Sequence, residues 1–439
     1  MPISSFYGLQ TSLRGLLAQQ RSIDVTGHNI ANVNTEGYSR QAADLTASPS
    51  MLVPSGAVYD GSGAQLGSGV DVLAYRRIRD GFVDAQFRAQ NMRLGYQTAT
   101  QTVLTDAETA LAEPGDEGIS AQLAGFWDAW SVVANNASDP ASRQALIEQG
   151  ATLADAFGNV DGQLGQLSDA AAAEYTTLTA PNGKVHLIAK ELGQLNGAIS
   201  DALQTGSTPN DLMDRRDLLF DQLSELGQVS LTPQDNGSVT VAFGDAATPL
   251  VDGTTVTWPQ TLTTPNGRLG ALKQLSDPGG TLDTYRKSLS AAARTLADSV
   301  NDLHASPPFF TFTDGSEAAT LKVGVTASQI VTSTTADPGA NDLAGKIAGL
   351  RSGSADAAYR TFVSTLGADV NAVNREQANA KALTQSVDDR RTSVNGVSLD
   401  EEMTNLVRFQ RAYQASARSM STMDEMLEQL IMRTGRVGL

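Results

Sequence analysis

The sequence contains no cysteine in its 439 residues. Disulfides are excluded, and so is any thiolate metal site or cysteine nucleophile. Aromatic residues make up only 5%, while Ala, Leu, Gln, Ser and Thr are abundant. Such a composition favours long packed helices over a dense aromatic core. No stretch of about 18 consecutive apolar residues occurs, so no membrane insertion is expected. The first residues lack the basic patch, apolar run and small-residue cleavage site of a secretory signal. Basic residues are outnumbered 31 to 48, for a formal net charge of −17. Residues 1–45 hold three basic and three acidic side chains and residues 395–439 five and six, leaving 23 against 39 in the middle. An acidic middle repels nucleic acid and anionic lipid, so no nucleic-acid partner is expected. Near-neutral ends can be crowded together without large self-repulsion.

Signatures of catalysis are missing as well. His28, His186 and His304 are far apart and outside any H-E-x-x-H arrangement. Gly61-Ser62-Gly63 and Gly67-Ser68-Gly69 do not match a dinucleotide fingerprint, and Gly183-Lys184 and Gly345-Lys346 are not phosphate loops. There is no G-x-S-x-G elbow. Asp388-Asp389 and Glu401-Glu402 are adjacent pairs, which point about 100° apart on a helix rather than converging. Phe126, Trp127 and Trp130 form the densest aromatic cluster, beside Asp128, and read as core rather than a ligand platform. The sequence therefore predicts no enzyme: no catalytic residue, no cofactor and no metal.

What is present is a seven-residue rhythm at both ends. Leu9, Leu16, Ile23 and Ile30 recur every seventh position near the start, with Phe6 and Leu13 beside them. Leu399, Leu406, Tyr413, Met420 and Leu427 do the same near the finish, flanked by Met403, Phe409, Ala417, Met423 and Leu430. Each repeat places an apolar stripe along a helix that needs partner helices. The chain's ends are expected to meet, and these nine residues are the candidate assembly interface.

Between the ends the expected class is mainly α, a long-helix bundle with small β-hairpin elements. Asn32-Val33-Asn34-Thr35-Glu36-Gly37-Tyr38 reads as a helix end and tight turn. Residues 46–74, rich in Gly and Pro, read as an extended linker or loose hairpin. Helical periodicity resumes near Asp80 and stops at Pro114-Gly115. Ile119, Leu123, Phe126, Trp130 and Val133 mark a second helix. Asp139-Pro140 has the form of an N-cap followed by Pro at the first helical position. Behind it, Phe157, Leu164, Ala171, Leu178, Val185, Leu192 and Ile199 keep a strict seven-residue interval across Pro181-Asn182-Gly183. The unbroken phase predicts a kinked helix or two collinear ones within one domain. A helix follows over about 210–226. Asn236-Gly237 and Asp252-Gly253 predict hairpins within 228–260. Helices are expected over 282–303 and about 355–386, with short strands near 309–313 and 321–325 between them. Ser398 and Glu401 have capping-box spacing ahead of the last helix. The expected organisation is residues 1–45 and 395–439 as a terminal coiled-coil axial core, 46–74 as the linker, and 75–394 as a mainly helical middle with β elements near 228–260 and 305–345.

The segment from Ser22 to Gln41, with Asn29, Asn32, Asn34, Thr35, Gly37 and Tyr38, resembles the N-terminal signature of bacterial flagellar rod, hook and hook-associated axial proteins. Ser398-Leu399-Asp400-Glu401-Glu402-Met403, followed by residues 405–415, resembles the matching terminal helix. Phe126-Trp127-Asp128-Ala129-Trp130, Asp139-Pro140-Ala141-Ser142-Arg143-Gln144-Ala145-Leu146 and Asn210-Asp211-Leu212-Met213-Asp214-Arg215-Arg216-Asp217 resemble the hook-associated family of the hook–filament junction. The resemblance implies a structural flagellar component whose terminal helices self-assemble into a tube. It implies four partners: copies of itself in a ring, the hook protein, a second junction protein toward the filament, and an export chaperone at the C-terminal helix. It also implies an extracellular location reached through the flagellar secretion channel without a cleaved signal. Larger members carry an extra outer domain late in the chain. The 309–350 segment is too short for an independent core, so that domain is expected to be absent or reduced. The alternative is another axial protein, a hook, rod or filament subunit. The long helical stretch from 80 to 226 weighs against it.

Overall fold

The computed structural model describes residues 6–53, 64–335, 337 and 339–433. Helix α1 (Tyr7–Ala31) leads into β1 (Gln41–Ala47), β2 (Met51–Val53), β3 (Ala64–Leu66) and β4 (Val70–Arg77). The body then runs α2 (Gly81–Ala110), α3 (Ile119–Asn135), α4 (Pro140–Thr179), α5 (Lys184–Gln204) and α6 (Asn210–Leu226). Strands β5 (Val229–Pro233), β6 (Val239–Phe243), β7 (Val251–Asp252) and β8 (Thr255–Val256) precede α7 (Gly267–Ser276) and α8 (Thr281–His304). Next come β9 (Phe310–Thr311), α9 (Glu317–Thr320), β10 (Lys322–Val323) and α10 (Asp342–Ala348). The long α11 (Ser354–Asn395) and α12 (Leu399–Arg433) finish the described chain. The fold is mainly α, as its composition and periodicity require.

Local chemistry sets the element boundaries. The Asp80 side chain accepts from the amides of Phe82 and Val83 and starts α2. Asp139 does the same for Ala141 and Ser142, with Pro140 at the first position of α4. Ser398 Oγ accepts from the Glu401 amide at the start of α12, while the Glu401 carboxylate is taken by Arg40. The two hairpin dipeptides lie in a four-stranded antiparallel meander, β5-β6-β7-β8. Residues 41–47 and 70–77 form an antiparallel ribbon, prolonged by the β2–β3 pair. This ribbon begins five residues before the expected linker and ends three residues after it. Its register shifts between Asp44 and Leu45.

Two hydrophobic cores build the body. The first gathers Phe126, Trp127, Trp130, Phe157, Phe309, Tyr359 and Phe362 with residues of α2, α3, α4, α7, α8 and α11. Phe126, Trp127 and Trp130 are fully buried: Phe126 makes tilted or edge-on ring contacts with both tryptophans, Phe309 and Phe310, and Trp130 also meets Phe309. Trp127 Nε1 donates to Asp356 at 3.1 Å. His304 is also fully buried. It lies between the Pro307 carbonyl and the Val331 amide, and burial lowers its pKa despite the Pro307 contact. The second core packs α5, α6 and the meander.

The seven-residue series crosses from one core to the other. Phe157, Leu164 and Ala171 lie in the first, and Val185 and Leu192 in the second. Residues 180–183 separate α4 from α5 into two helices. Unbroken phase did not mean one core, because each half buries its own side of the same rhythm. Residues 309–350 are no separate unit: Phe309, Phe310, Ala318, Leu321, Val325, Ile330, Ala344 and Ile347 all enter the first core. Helix α7 follows loop-like residues that gave no sequence signal, yet it spans both cores through Leu269, Leu272 and Leu275.

The central ring cluster supplies the body with its largest apolar contacts. Phe126→Ala is expected to cost the body about 3–5 kcal/mol, the usual range for emptying a buried aromatic site. Urea unfolding followed by far-ultraviolet circular dichroism checks this; a loss under about 1 kcal/mol would show the ring to be dispensable.

Candidate assembly interface

Helices α1 and α12 run antiparallel, with the ribbon alongside α1. Glycine and hydroxyl side chains make the seam between the helices. A Cβ at Gly8 would collide with the sulfur of Met423, and one at Gly15 would press on Ser416. Ser12 and Ser419 share a hydroxyl contact at 3.2 Å. Gly8, Gly15, Ser22 and Asn29 fall every seventh residue, one position before the leucine row. A one-residue step turns a helix by about 100°. Leu9, Leu16, Ile23 and Ile30 therefore flank the seam and stay half-buried. On α12, Leu406, Tyr413, Met420 and Leu427 are also half-buried, and Leu399 is exposed. The heptads bring the two helices together as expected, but small residues fill the contact and the apolar rows border it. Phe6 just ahead of α1, Leu13 and Leu17 on it, and Met403 and Val407 on α12 are exposed.

The axial motif makes a joint at the other end of the pair. Asn29 is 1% exposed and uses its whole amide. Its Oδ1 accepts from the Gln41 amide and the Tyr38 hydroxyl; its Nδ2 donates to the Gln41 carbonyl and to Glu402 Oε2. One side chain thus ties α1, the root of the ribbon and α12. Asn32 Nδ2 donates to the His28 carbonyl, and Thr35 Oγ1 donates to Asn32 Oδ1, which closes the turn. Gly37 has φ +78°, a left-handed angle that penalises any side chain, and its missing Cβ lets Leu218 approach. Asn34 makes no side-chain hydrogen bond among those described. Burial, reinforced by Asp211, Asp214 and Glu402, raises the pKa of Tyr38, so its hydroxyl keeps its proton and donates.

The ribbon root then plugs into the start of α6. Asn210 Nδ2 donates to Gln41 Oε1 and the Tyr75 carbonyl, and Gln41 Nε2 donates to Asp211. Asp214 accepts from the Ser39 amide and from Arg77 at 2.9 Å. Asp217 lies 2.7 Å from Arg77 and 2.9 Å from Arg79, and Arg79 also pairs with Asp84. Asp221 receives Arg88 at 2.8 Å and Arg391 at 2.6 Å. Burial alone would raise the pKa of Asp217, but Arg79, Arg77 and Arg88 overcome it and the pKa falls. These arginines were not among the residues singled out from sequence. The signal was there: Asp214, Asp217 and Asp221 share one helix face, opposite a basic run at residues 76, 77 and 79. His28 sits at the edge of this joint, 3.1 Å from the Tyr38 hydroxyl. No group of three or more His, Asp or Glu among the described residues is arranged to hold a metal.

Known proteins match these regions. The helical-domain profile described as "Flagellar hook-associated protein FlgK helical domain" covers residues 104–265. The "Flagellar basal body rod FlgEFG protein C-terminal" profile covers 390–433, and the "Flagella basal body rod protein" profile covers 9–38. A Bacillus subtilis protein named flagellar hook-associated protein 1 is 28% identical over 98% of both chains. A Salmonella typhimurium protein of the same name is 30% identical over 62% of this chain, which spans only 46% of that relative. A solved flagellar hook junction protein from Burkholderia pseudomallei is 25% identical, with a TM-score of 0.44 over 50% of this chain and 44% of its own.

The joint carries a defined pH dependence. A carboxylate whose folded pKa is lowered gives stability that is present above its unfolded value, about 3.9, and lost as pH falls through the folded value. The Asp217 contribution is therefore whole at neutral pH and is lost only in strong acid. Asp217→Asn takes away the carboxylate that Arg77 and Arg79 share and leaves them Asp214 and Asp84, so it is expected to cost about 1.5–3 kcal/mol at pH 7, the range for hydrogen bonds to a charged group. That cost should shrink below about pH 3. Denaturation midpoints of both proteins across pH check it; an equal gap at pH 7 and pH 2 would contradict the assignment.

Proposed function

We propose that this chain, which belongs to the flagellar hook-associated protein 1 family, builds the junction through the apolar rows that its own helix pair leaves uncovered. The family places it in the bacterial flagellum as a structural component between hook and filament. The single observation carrying the reading is the half-buried band that borders the α1–α12 seam. Leu9, Leu16, Ile23 and Ile30 lie on one helix and Leu406, Tyr413, Met420 and Leu427 on the other. Water still reaches these side chains, and full burial of one large apolar side chain is worth about 1.5–3 kcal/mol. Neighbouring copies, packed as a ring, would supply that burial. Residues 1–45 and 395–439 then form the axial tube, and the acidic body, 75–394, its outer layer.

The hook protein lies on one side of this ring and a second junction protein on the filament side. An export chaperone that covers α12 would shield the same apolar row before assembly, and passage through the flagellar channel would deliver the chain outside the cell. The reading assigns the chain no catalytic step. It also favours a hook-associated subunit over a hook, rod or filament subunit, because the helical-domain profile falls on α3 to α6 and the meander.

The test is a triple replacement, Leu406→Glu, Tyr413→Glu and Leu427→Glu, introduced into the bacterium. The expected result is hooks without filaments, with the purified body as helical and as stable as before. Filaments of normal number and length would contradict it.

A further inference from the structure

Helix α12 is attached to the rest of the molecule in an unusual way. Among its described side chains one alone is buried, and that one is a carboxylate: Glu402, 2% exposed. Its Oε2 accepts from Asn29 Nδ2 at 3.1 Å and its Oε1 from Arg40 Nε at 2.8 Å. Arg40 belongs to the ribbon root, and Asn29, on α1, is bonded to it. Asn29 holds the amide and carbonyl of Gln41. Arg40 donates its own amide to the Asn395 carbonyl at the end of α11, and its carbonyl accepts from Ile78 where the ribbon leaves for α2. A second carboxylate from the same turn, Glu401, takes Arg40 Nη1 at 2.9 Å.

Without α12, the Arg40 guanidinium loses both of these carboxylates, and Asn29 loses the acceptor for one of its amide hydrogens. A half-buried cation stripped of both carboxylates is costly, and the adjoining backbone bonds must bear that cost or open. We propose that Glu402 is a latch through which seating of the C-terminal helix locks the ribbon root, residues 38–47 and 70–79. Coupling of this kind is reciprocal. A molecule that held α12 away would loosen a ribbon it never touched, and a loosened ribbon would weaken the hold on α12. The two ends of the chain thus act as one switch, independently of what the assembled rows contact.

The test is hydrogen–deuterium exchange with mass spectrometry on the full chain and two variants. Glu402→Gln keeps the shape but removes the charge, and Arg40→Met removes the partner. With Glu402→Gln, ribbon-root amides in residues 39–47 and 70–79 should lose protection by about tenfold or more, in keeping with loss of a charge-assisted hydrogen bond. Arg40→Met should in turn loosen amides of residues 402–412. Peptides from α2 and α4 should be unchanged in both, which reports that the body has kept its fold. Loosening of α12 alone with an unaltered ribbon root would overturn the latch, and so would equal loss of protection across α2 and α4.

Discussion

The molecule depends on a charge-lined socket: arginines 77, 79 and 88 closing around the aspartates of α6. Neither hydrophobic core holds a residue before Val103 or after Val373. The terminal helices and the ribbon are therefore joined to the body by ion pairs and hydrogen bonds at α6, the end of α11 and the turn at 32–40. Such a joint has a different character from a core. It specifies geometry sharply, because each buried polar group needs its partner, but it adds little net burial. A body with its own cores can stay folded while the axial part waits for neighbours.

The seam within the axial pair follows the same economy. Had the leucine rows met each other, α1 and α12 would have formed a closed hairpin with little apolar surface left to share. Small residues at Gly8, Ser12, Gly15, Ser416 and Ser419 bring the backbones close and leave the larger side chains at the rim. The pair is held to itself and is still adhesive on its flanks. On the proposed assembly, a subunit that first exists alone and then joins a tube needs both properties.

Much of this was legible in the sequence. Period and capping residues gave the helix content, the start of α4 at Asp139-Pro140 and the meeting of the two ends. The Asn-Gly and Asp-Gly dipeptides gave the meander. Three things were hidden, each for a physical reason. Periodicity reports that a face recurs, not which of two adjacent rows is in contact, so the Gly8 row stayed in the shadow of the Leu9 row. The kept phase across Pro181 concealed the passage from one core to another. The socket joins residues about 140 positions apart, and local pattern reading, which pairs near neighbours, sees only a basic run and a helix with spaced acids. Of the motif residues, Asn29, Asn32, Thr35, Gly37 and Tyr38 sit in the joint and its turn, Asn34 makes no described side-chain hydrogen bond, and the apolar rows read from the heptads border the α1–α12 seam.

Native-state hydrogen exchange of the unaltered chain in rising urea tests the central claim most directly. If the axial part is fastened by a polar joint outside the cores, amides of α1, the ribbon and α12 should exchange through openings that expose little surface, with a shallow dependence on urea. Those of α3, α4 and α8 should exchange only through steep, global unfolding. One common steep dependence for all of them would mean a single cooperative core, and the account would be wrong.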